Sequence, residues 1–229
     1  MFSEFSSFRR NLATYCQVLL AVSFVIFGYV INSGALQQFD LCVTSASQSF
    51  GVVVLDYAMA LITYLGSVEM TCLIGFTLAV LFWKKGDRRV SFLIVAIMGM
   101  SAAIEFLYKS TIYQPRVWPE FDRNPFSLHI IHLRTRFIFP SGHAIRALFI
   151  YGFIALLAWR SGRIKLAIAS VTTVLVIGFS RVYLGDHWST DVIGGFLLGA
   201  LALSILFEQY SNAAPNRIQD SKSQAPNTK

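Results

Sequence analysis

Charge is scarce in this chain, and what there is of it is one-sided. Only 14% of the 229 residues are Asp, Glu, Lys or Arg, against 55% hydrophobic residues and a mean hydropathy of +0.58. That balance excludes an ordinary soluble domain. Cysteine is scarce too: Cys16, Cys42 and Cys72 are odd in number, far apart and in or beside apolar stretches. They offer neither a disulfide framework nor a metal knuckle, and read as packed thiols. Acidic residues number 12 against 19 Lys and Arg, a formal charge of +7. In a soluble protein such an excess would suggest nucleic acid, but here the basic residues fill short gaps between apolar runs and no nucleic-acid motif accompanies them. The partner implied is the bilayer.

Apolar runs near 12–31, 62–83, 90–108, 144–160, 165–182 and 191–208 are each long enough to cross a hydrocarbon layer of roughly 30 Å. The fold expected is all-α, a six-transmembrane-helix bundle with both termini on one side. The first run follows Arg9 and Arg10 and precedes Ser33-Gly34-Ala35, but its apolar stretch is too long for a signal-peptide core, so it is expected to stay as a span. Residues 36–60 alternate Asp40 and Asp56 with apolar residues and are expected to lie along the interface between spans one and two. After Tyr210 the composition turns to Ser, Asn, Pro, Gln and Lys. The sequence therefore predicts one domain over 1–210 and a disordered cytoplasmic tail over 211–229.

Six alternating crossings put Arg9, Arg10, Lys84, Lys85, Arg88, Arg89, Arg160, Arg163 and Lys165 on one side, which the positive-inside tendency makes cytoplasmic. The opposite side receives the 109–143 loop and the 183–190 connection. That loop carries Arg116, Arg123, Arg134 and Arg136, against the rule, as a phosphate site on that face would require.

Three fragments converge on this outer side: Lys109 with Arg116 seven residues on, the run Pro140-Ser141-Gly142-His143, and Arg181 followed by His187 and Asp191. They supply three cations, two imidazoles and a carboxylate, the equipment for cleaving a phosphate ester with a histidine nucleophile. Pro-Ser-Gly-His opens the fourth span, so the free amides and positive dipole end of that helix face the outer loop as an anion seat. The same tetrapeptide also suits a plain helix start, with Ser141 as cap and Gly142 as turn, and Asp191 likewise suits an N-cap. His187 and Asp191 are four apart, so at a helix start they share a face and the carboxylate can hold one imidazole nitrogen. The other nitrogen is then free to attack.

These fragments resemble the three motifs of the type 2 phosphatidic acid phosphatase family: Lys-x6-Arg-Pro, Pro-Ser-Gly-His and Ser-Arg-x5-His-x3-Asp. The second and third fit throughout, with Ser180 preceding Arg181, while the first departs at Val117, where the family has proline. The resemblance implies that His187 attacks phosphorus, oriented by Asp191, and that His143 protonates the leaving oxygen and later activates water. It also implies that Lys109, Arg116, Arg181, the Ser141 hydroxyl and the Gly142 amide hold the phosphoryl oxygens. Neither cofactor nor metal is called for. His129 and His132 are three apart, but no cysteine or carboxylate stands beside them at ligand spacing.

Glu69, Glu105 and Arg146 are the remaining charges inside the spans, all within about two turns of the outer end. Intramembrane charge is costly and faces an interior, so all three are expected around the same cavity, behind the residues that touch phosphate. Glu105 lies four residues before Lys109, in reach of an ion pair, and Arg146 is expected either to pair with Glu105 or Glu69 or to snorkel along the lipid face.

The activity expected is a metal-independent lipid phosphatase at the outer leaflet of a bacterial plasma membrane. Its candidate substrates are undecaprenyl diphosphate, phosphatidylglycerol phosphate and phosphatidic acid. The rivals are phosphate transfer to another lipid, the halide oxidation of the related but soluble vanadium haloperoxidases, and lipid transport. The last lacks the inverted repeat and paired broken spans it would need. The oligomeric state is left open.

Overall fold

The computed structural model describes residues 2–125 and 135–223, with side chains for 11–125 and 135–212. His129, His132 and Arg134 lie outside the described residues. Among those described, the chain forms eight α-helices in the order α1 (Phe2–Asn32), α2 (Gln37–Gln48), α3 (Val53–Thr63), α4 (Val68–Lys84), α5 (Arg88–Thr111), α6 (Gly142–Arg160), α7 (Ile164–Tyr183) and α8 (Ser189–Ser223). Short 3-10 turns at Tyr64–Gly66 and Pro119–Phe121 complete them.

Five stretches are long and apolar enough to cross a bilayer: Asn11–Asn32, Arg88–Thr111, Gly142–Arg160, Ile164–Tyr183 and Ser189–Asn212. Helix α4 is only slightly shorter: its 17 residues rise about 25 Å, close to the thickness of a hydrocarbon layer. It starts later than the apolar run that announces it. Residues 62–66 finish α3 and its 3-10 turn, and Ser67 then caps α4 by accepting the Met70 amide at 3.3 Å. A cap restarts the helix where hydropathy alone shows no break.

The segment before it, α2 and α3, bends by 117° and packs on α7 and α8 at the end of the bundle where α7 finishes. Polar contacts pin them there, because irregular backbone at this depth is tolerated only against protein. The Gln48 amide donates to the Phe121 and Tyr183 carbonyls at 2.7 and 2.9 Å. Asp56 takes Arg123 in a two-pronged pair, Nε–Oδ1 2.9 Å and Nη2–Oδ2 3.0 Å, and accepts the Tyr183 hydroxyl at 2.6 Å. These bonds staple the loop after α5 to the hairpin.

The bundle is built around α6. Two thirds of its apolar window is buried, against 17% for the α1 span and 22% for α5, whose outward Leu, Val and Phe side chains suit lipid. Facing α8 closely requires small residues: a Cβ on Gly195 would stand 2.6 Å from the Ser141 carbonyl oxygen. Since lipid tails are as apolar as leucine, such close backbone approach is what holds spans together. Away from the polar end, Phe82, Ile94, Phe149, Phe153 and Leu206 close the core between α4, α5, α6 and α8.

Helix α8 runs on to Ser223.

Candidate active site

The ends of α5 and α7 and the starts of α4, α6 and α8 meet at one end of the bundle around a cavity of about 1000 Å³. Its polar lining includes Lys109, Arg116, His143, Arg181 and His187, with Glu69, Glu105 and Arg146 behind them. Its other wall is apolar, formed by Val68 and Phe76 of α4, Val95, Met98 and Phe106 of α5, and Phe149 of α6. Phe76 and Phe106 are about half exposed, so the apolar wall reaches the outer surface of the bundle. A polar head and an apolar chain fit such a space together.

The start of α8 explains how His187 is held. Asp191 stands at the third helical position and its Oδ2 accepts the Trp188 amide at 2.9 Å, which closes the first turn in the manner of a capping box. The same oxygen lies 3.2 Å from His187 Nδ1. Fully buried, Asp191 fixes the ring by one nitrogen, so Nε2 is the one left for the cavity that His187 lines. Burial, and after it the charges of Arg181, Lys109, Arg146 and Arg116, hold the His187 imidazole well below its ordinary range. A neutral ring with one nitrogen anchored is a competent nucleophile.

A second carboxylate completes this helix start, and it comes from far away in sequence. Asp40 of α2, 2% exposed, accepts the Thr190 amide at 2.9 Å, the Ser189 hydroxyl at 2.7 Å, the Thr190 hydroxyl at 2.6 Å and the Gln114 amide at 3.3 Å. Asp40 thus caps α8 from outside.

At α6 the arrangement is the opposite. Ser141 is the N-cap residue, but its side chain makes no cap hydrogen bond, and its buried Oγ has no partner among the described residues. Its amide instead donates to the Asp191 carbonyl at 2.9 Å, which ties the two helix starts together. The first amides of α6, at Gly142, His143 and Ala144, have no intrahelical acceptor by the geometry of a helix. Glycine at 142 is required by proximity, since a Cβ there would run into the Glu105 carboxylate. His143 follows, buried and facing the same cavity.

Glu105 sits between two cations. Its Oε1 is 2.7 Å from Lys109 Nζ and its Oε2 is 2.8 Å from Arg146 Nη1. Arg146 therefore braces the interior and does not snorkel into lipid; insertion scales charge roughly 2.5–3.5 kcal/mol for arginine at the centre of a span. Glu69 lines the cavity from the first turn of α4. Arg116 donates to the Thr135 carbonyl at 3.1 Å and stays exposed, as a group that reaches for a ligand must. Arg181 is 4% exposed; its Nη1 contacts Asp186 Oδ2 at 2.9 Å and the Thr63 hydroxyl at 3.1 Å.

Of the outer-loop arginines, only Arg116 lines the cavity among the described residues. Arg123 belongs to the Asp56 staple, and Arg136 stacks 5.2 Å from the Phe137 ring centroid. The expectation that the loop's positive charge as a whole serves phosphate is corrected accordingly. No group of three His, Cys, Asp or Glu side chains among the described residues is arranged to hold a metal.

Sequence reasoning missed the contacts of Asp40, Thr190, Gln114, Thr63 and Asp186. Asp40 was visible as a lone acid in an apolar segment, but nothing local joins it to residues 149 and 150 positions away. Asp186 stands beside His187 among the unspecified positions of the third fragment, where spacing carries no signal.

Comparison with known proteins gives the same picture. Residues 90–215 match the model of the PAP2 superfamily. Phosphatidylglycerophosphatase B of Bacillus subtilis (strain 168) is 33% identical over 198 residues, 82% of this chain and 91% of its own length. Undecaprenyl-diphosphatase BcrC of the same organism is 29% identical over 164 residues, 69% of this chain and 76% of its own. Among solved structures, the crystal structure of a transmembrane PAP2 type phosphatidylglycerolphosphate phosphatase from Bacillus subtilis superposes with a TM-score of 0.69 at 28% identity, covering 86% of this chain and 97% of that one.

Proposed function

The chain belongs to the PAP2 superfamily and is a membrane lipid phosphatase, and we propose that it releases the terminal phosphate of a lipid phosphate or diphosphate through a phosphohistidine formed at the outer membrane face. The observation that carries the reading is the His187–Asp191 contact at 3.2 Å, set beside three cations on a cavity with an apolar wall.

In the first step the lone pair of His187 Nε2 forms a bond to phosphorus while the bond to the leaving oxygen breaks, and protonated His143 gives that oxygen its proton. Asp191 compensates the positive charge that develops on the ring. Lys109, Arg116 and Arg181, with the Ser141 hydroxyl and the open amides at Gly142, hold the three remaining oxygens as charge spreads over them. In the second step His143 takes a proton from water, the hydroxide oxygen bonds to phosphorus, and His187 leaves. Arg146, Glu105 and Glu69 act from behind, with Glu105 keeping Lys109 in place and Arg146 pairing with the same carboxylate.

The apolar wall supports a lipid substrate over a soluble phosphate ester. The names of the relatives favour phosphatidylglycerol phosphate and undecaprenyl diphosphate, with phosphatidic acid sharing the same terminal group. The cation-rich turns of Lys84, Lys85 and Arg88 and of Arg160 and Arg163 lie at the ends of helices opposite the cavity, which supports an outward-facing site in a plasma membrane. Residues 1–210 would act as one catalytic unit.

The test is phosphate release by the purified full-length protein from these three lipids. Turnover of at least one is expected, unaffected by chelators, blocked by vanadate, and reduced to under about 0.1% in His187→Ala and in His143→Ala. Full activity in His187→Ala would overturn the mechanism. For sidedness, in a background without the three native cysteines, Asn124→Cys should take an impermeant thiol label on intact cells and Gly86→Cys only after lysis.

A further inference from the structure

Arg181 is the most enclosed cation of the cavity, and it already holds an anion. Its Nη1 lies 2.9 Å from Asp186 Oδ2. Asp186 is not a sealed structural partner: its side chain keeps 21% of its surface and lines the cavity, where the Asn124 amide of the outer loop approaches its two oxygens at 3.4 and 3.3 Å. Arg181 also keeps a donor in hand, since its buried Nε has no hydrogen-bond partner among the described residues. One guanidinium of the cavity lining thus pairs with a carboxylate at the mouth through Nη1 while its buried Nε is left without an acceptor among the described residues.

The charge census of the lining points the same way. Among the described residues it carries four cations, Lys109, Arg116, Arg146 and Arg181, and four acids, Glu69, Glu105, Asp122 and Asp186. Among those described the formal charges cancel, so releasing a carboxylate would leave their sum positive; of the two acids paired with a phosphate-binding cation, Asp186 is the more open, 21% of its side chain against 14% for Glu105.

Resting on the phosphatase reading, we infer that Asp186 is a specificity residue: a tethered, singly charged competitor for Arg181 that ordinary phosphodiester headgroups cannot displace and a terminal phosphate can. The cavity reaches the bilayer surface, where phosphodiesters surround it in large excess over any terminally phosphorylated lipid. A diester on Arg181 exchanges one monoanion for another, against a carboxylate held at the high effective concentration of a short tether. It also offers two free oxygens at most. A terminal phosphate carries about −1.5 to −2 at pH 7, which nearly doubles its attraction to the same cation. Its unesterified oxygens engage Lys109, Arg116 and Arg181 at once, and Asp186, released, moves toward water with Asn124 still beside it. The tether then sets a threshold that any ligand of Arg181 must pass, and the more strongly held terminal phosphate is the one that passes it.

The experiment uses the full-length protein in neutral detergent micelles with a lipid phosphomonoester at fixed surface fraction, titrated with phosphatidylglycerol as the monoanionic diester or with orthophosphate. In the wild type, phosphatidylglycerol should inhibit weakly. In Asp186→Asn, which keeps the shape and removes the charge, its apparent Ki should fall about tenfold, and that of orthophosphate should fall by at least a comparable factor, since either ligand releases the same tether. Asp186→Glu should retain the wild-type rejection, and Asp186→Ser gives the same comparison should the Asn variant not accumulate. Equal phosphatidylglycerol inhibition in wild type and the uncharged variants would overturn the filter while leaving the phosphatase reading intact. A wild type without turnover on any terminal phosphate would overturn the reading itself.

Discussion

Two helices begin side by side at the polar end of this bundle, and their N-termini are treated in opposite ways. At α8 the first turn is filled with carboxylate: Asp191 takes the Trp188 amide and Asp40 takes the Thr190 amide. At α6 the N-cap serine makes no cap hydrogen bond with its side chain. An N-terminal dipole end favours negative charge by typically about 0.3–1 kcal/mol, and more when partly buried. In α8 that preference is spent internally, which locks the helix carrying Asp191 and the loop carrying His187. In α6 the Ser141 side chain leaves it unspent, as the proposed phosphate seat requires. A helix start can be scaffold or binding site, and what separates the two is whether a carboxylate is hydrogen-bonded to its amides: Asp191 and Asp40 are, whereas Glu105 beside Gly142 is taken by Lys109 and Arg146.

The heaviest blow to this contrast should come from Asp40→Ala. It leaves the Ser189 and Thr190 donors buried without an acceptor, at about 1–3 kcal/mol for each group. Thermal unfolding in detergent should shift markedly downward, with phosphate release lost in step. Unchanged stability would mean that α8 needs no cap from α2. Next, Gly142→Ala should push Glu105 off its place between Lys109 and Arg146, and kcat/KM should drop about 100-fold, the usual cost of a misplacement near 1 Å. Stability there should change little by comparison.

Ser141→Ala sharpens the contrast from the other side. Removing a working N-cap serine costs typically about 1 kcal/mol, but this one does not cap, so unfolding should hardly move while KM rises several-fold. A stability loss of the full capping size would show that α6 is closed after all. The smallest effect should appear in the pH profile. Burial and the neighbouring cations keep His187 below its ordinary value near 6.5, so the acid limb of kcat/KM that reports its protonation lies below that value. Removing a positive charge, as in Arg116→Ala, raises the imidazole value and should move that limb toward higher pH.

What the sequence made legible was local. His187 with Asp191 and Glu105 with Lys109 are both four residues apart, and helical geometry turns that spacing into contact without further information. The order of apolar runs predicts the spans for the same reason. What stayed hidden was remote or depended on a cap. Asp56 and Arg123 are 67 positions apart, and the loop arginines all look alike until one finds a carboxylate and another an aromatic face. The bend between α2 and α3 follows from what they pack against, and the start of α4 from one serine hydroxyl.

Asp40 and Asp56 both lie before residue 90, outside the stretch that matches the family model. A fragment beginning at Val90 would possess every reactive group and every motif, yet its last helix would start with the Thr190 amide unanswered and its outer loop would lose the Asp56 carboxylate that holds Arg123. The N-terminal third is therefore less an anchor for the enzyme than a part of its jig: cut away, it would leave the right side chains in the wrong places.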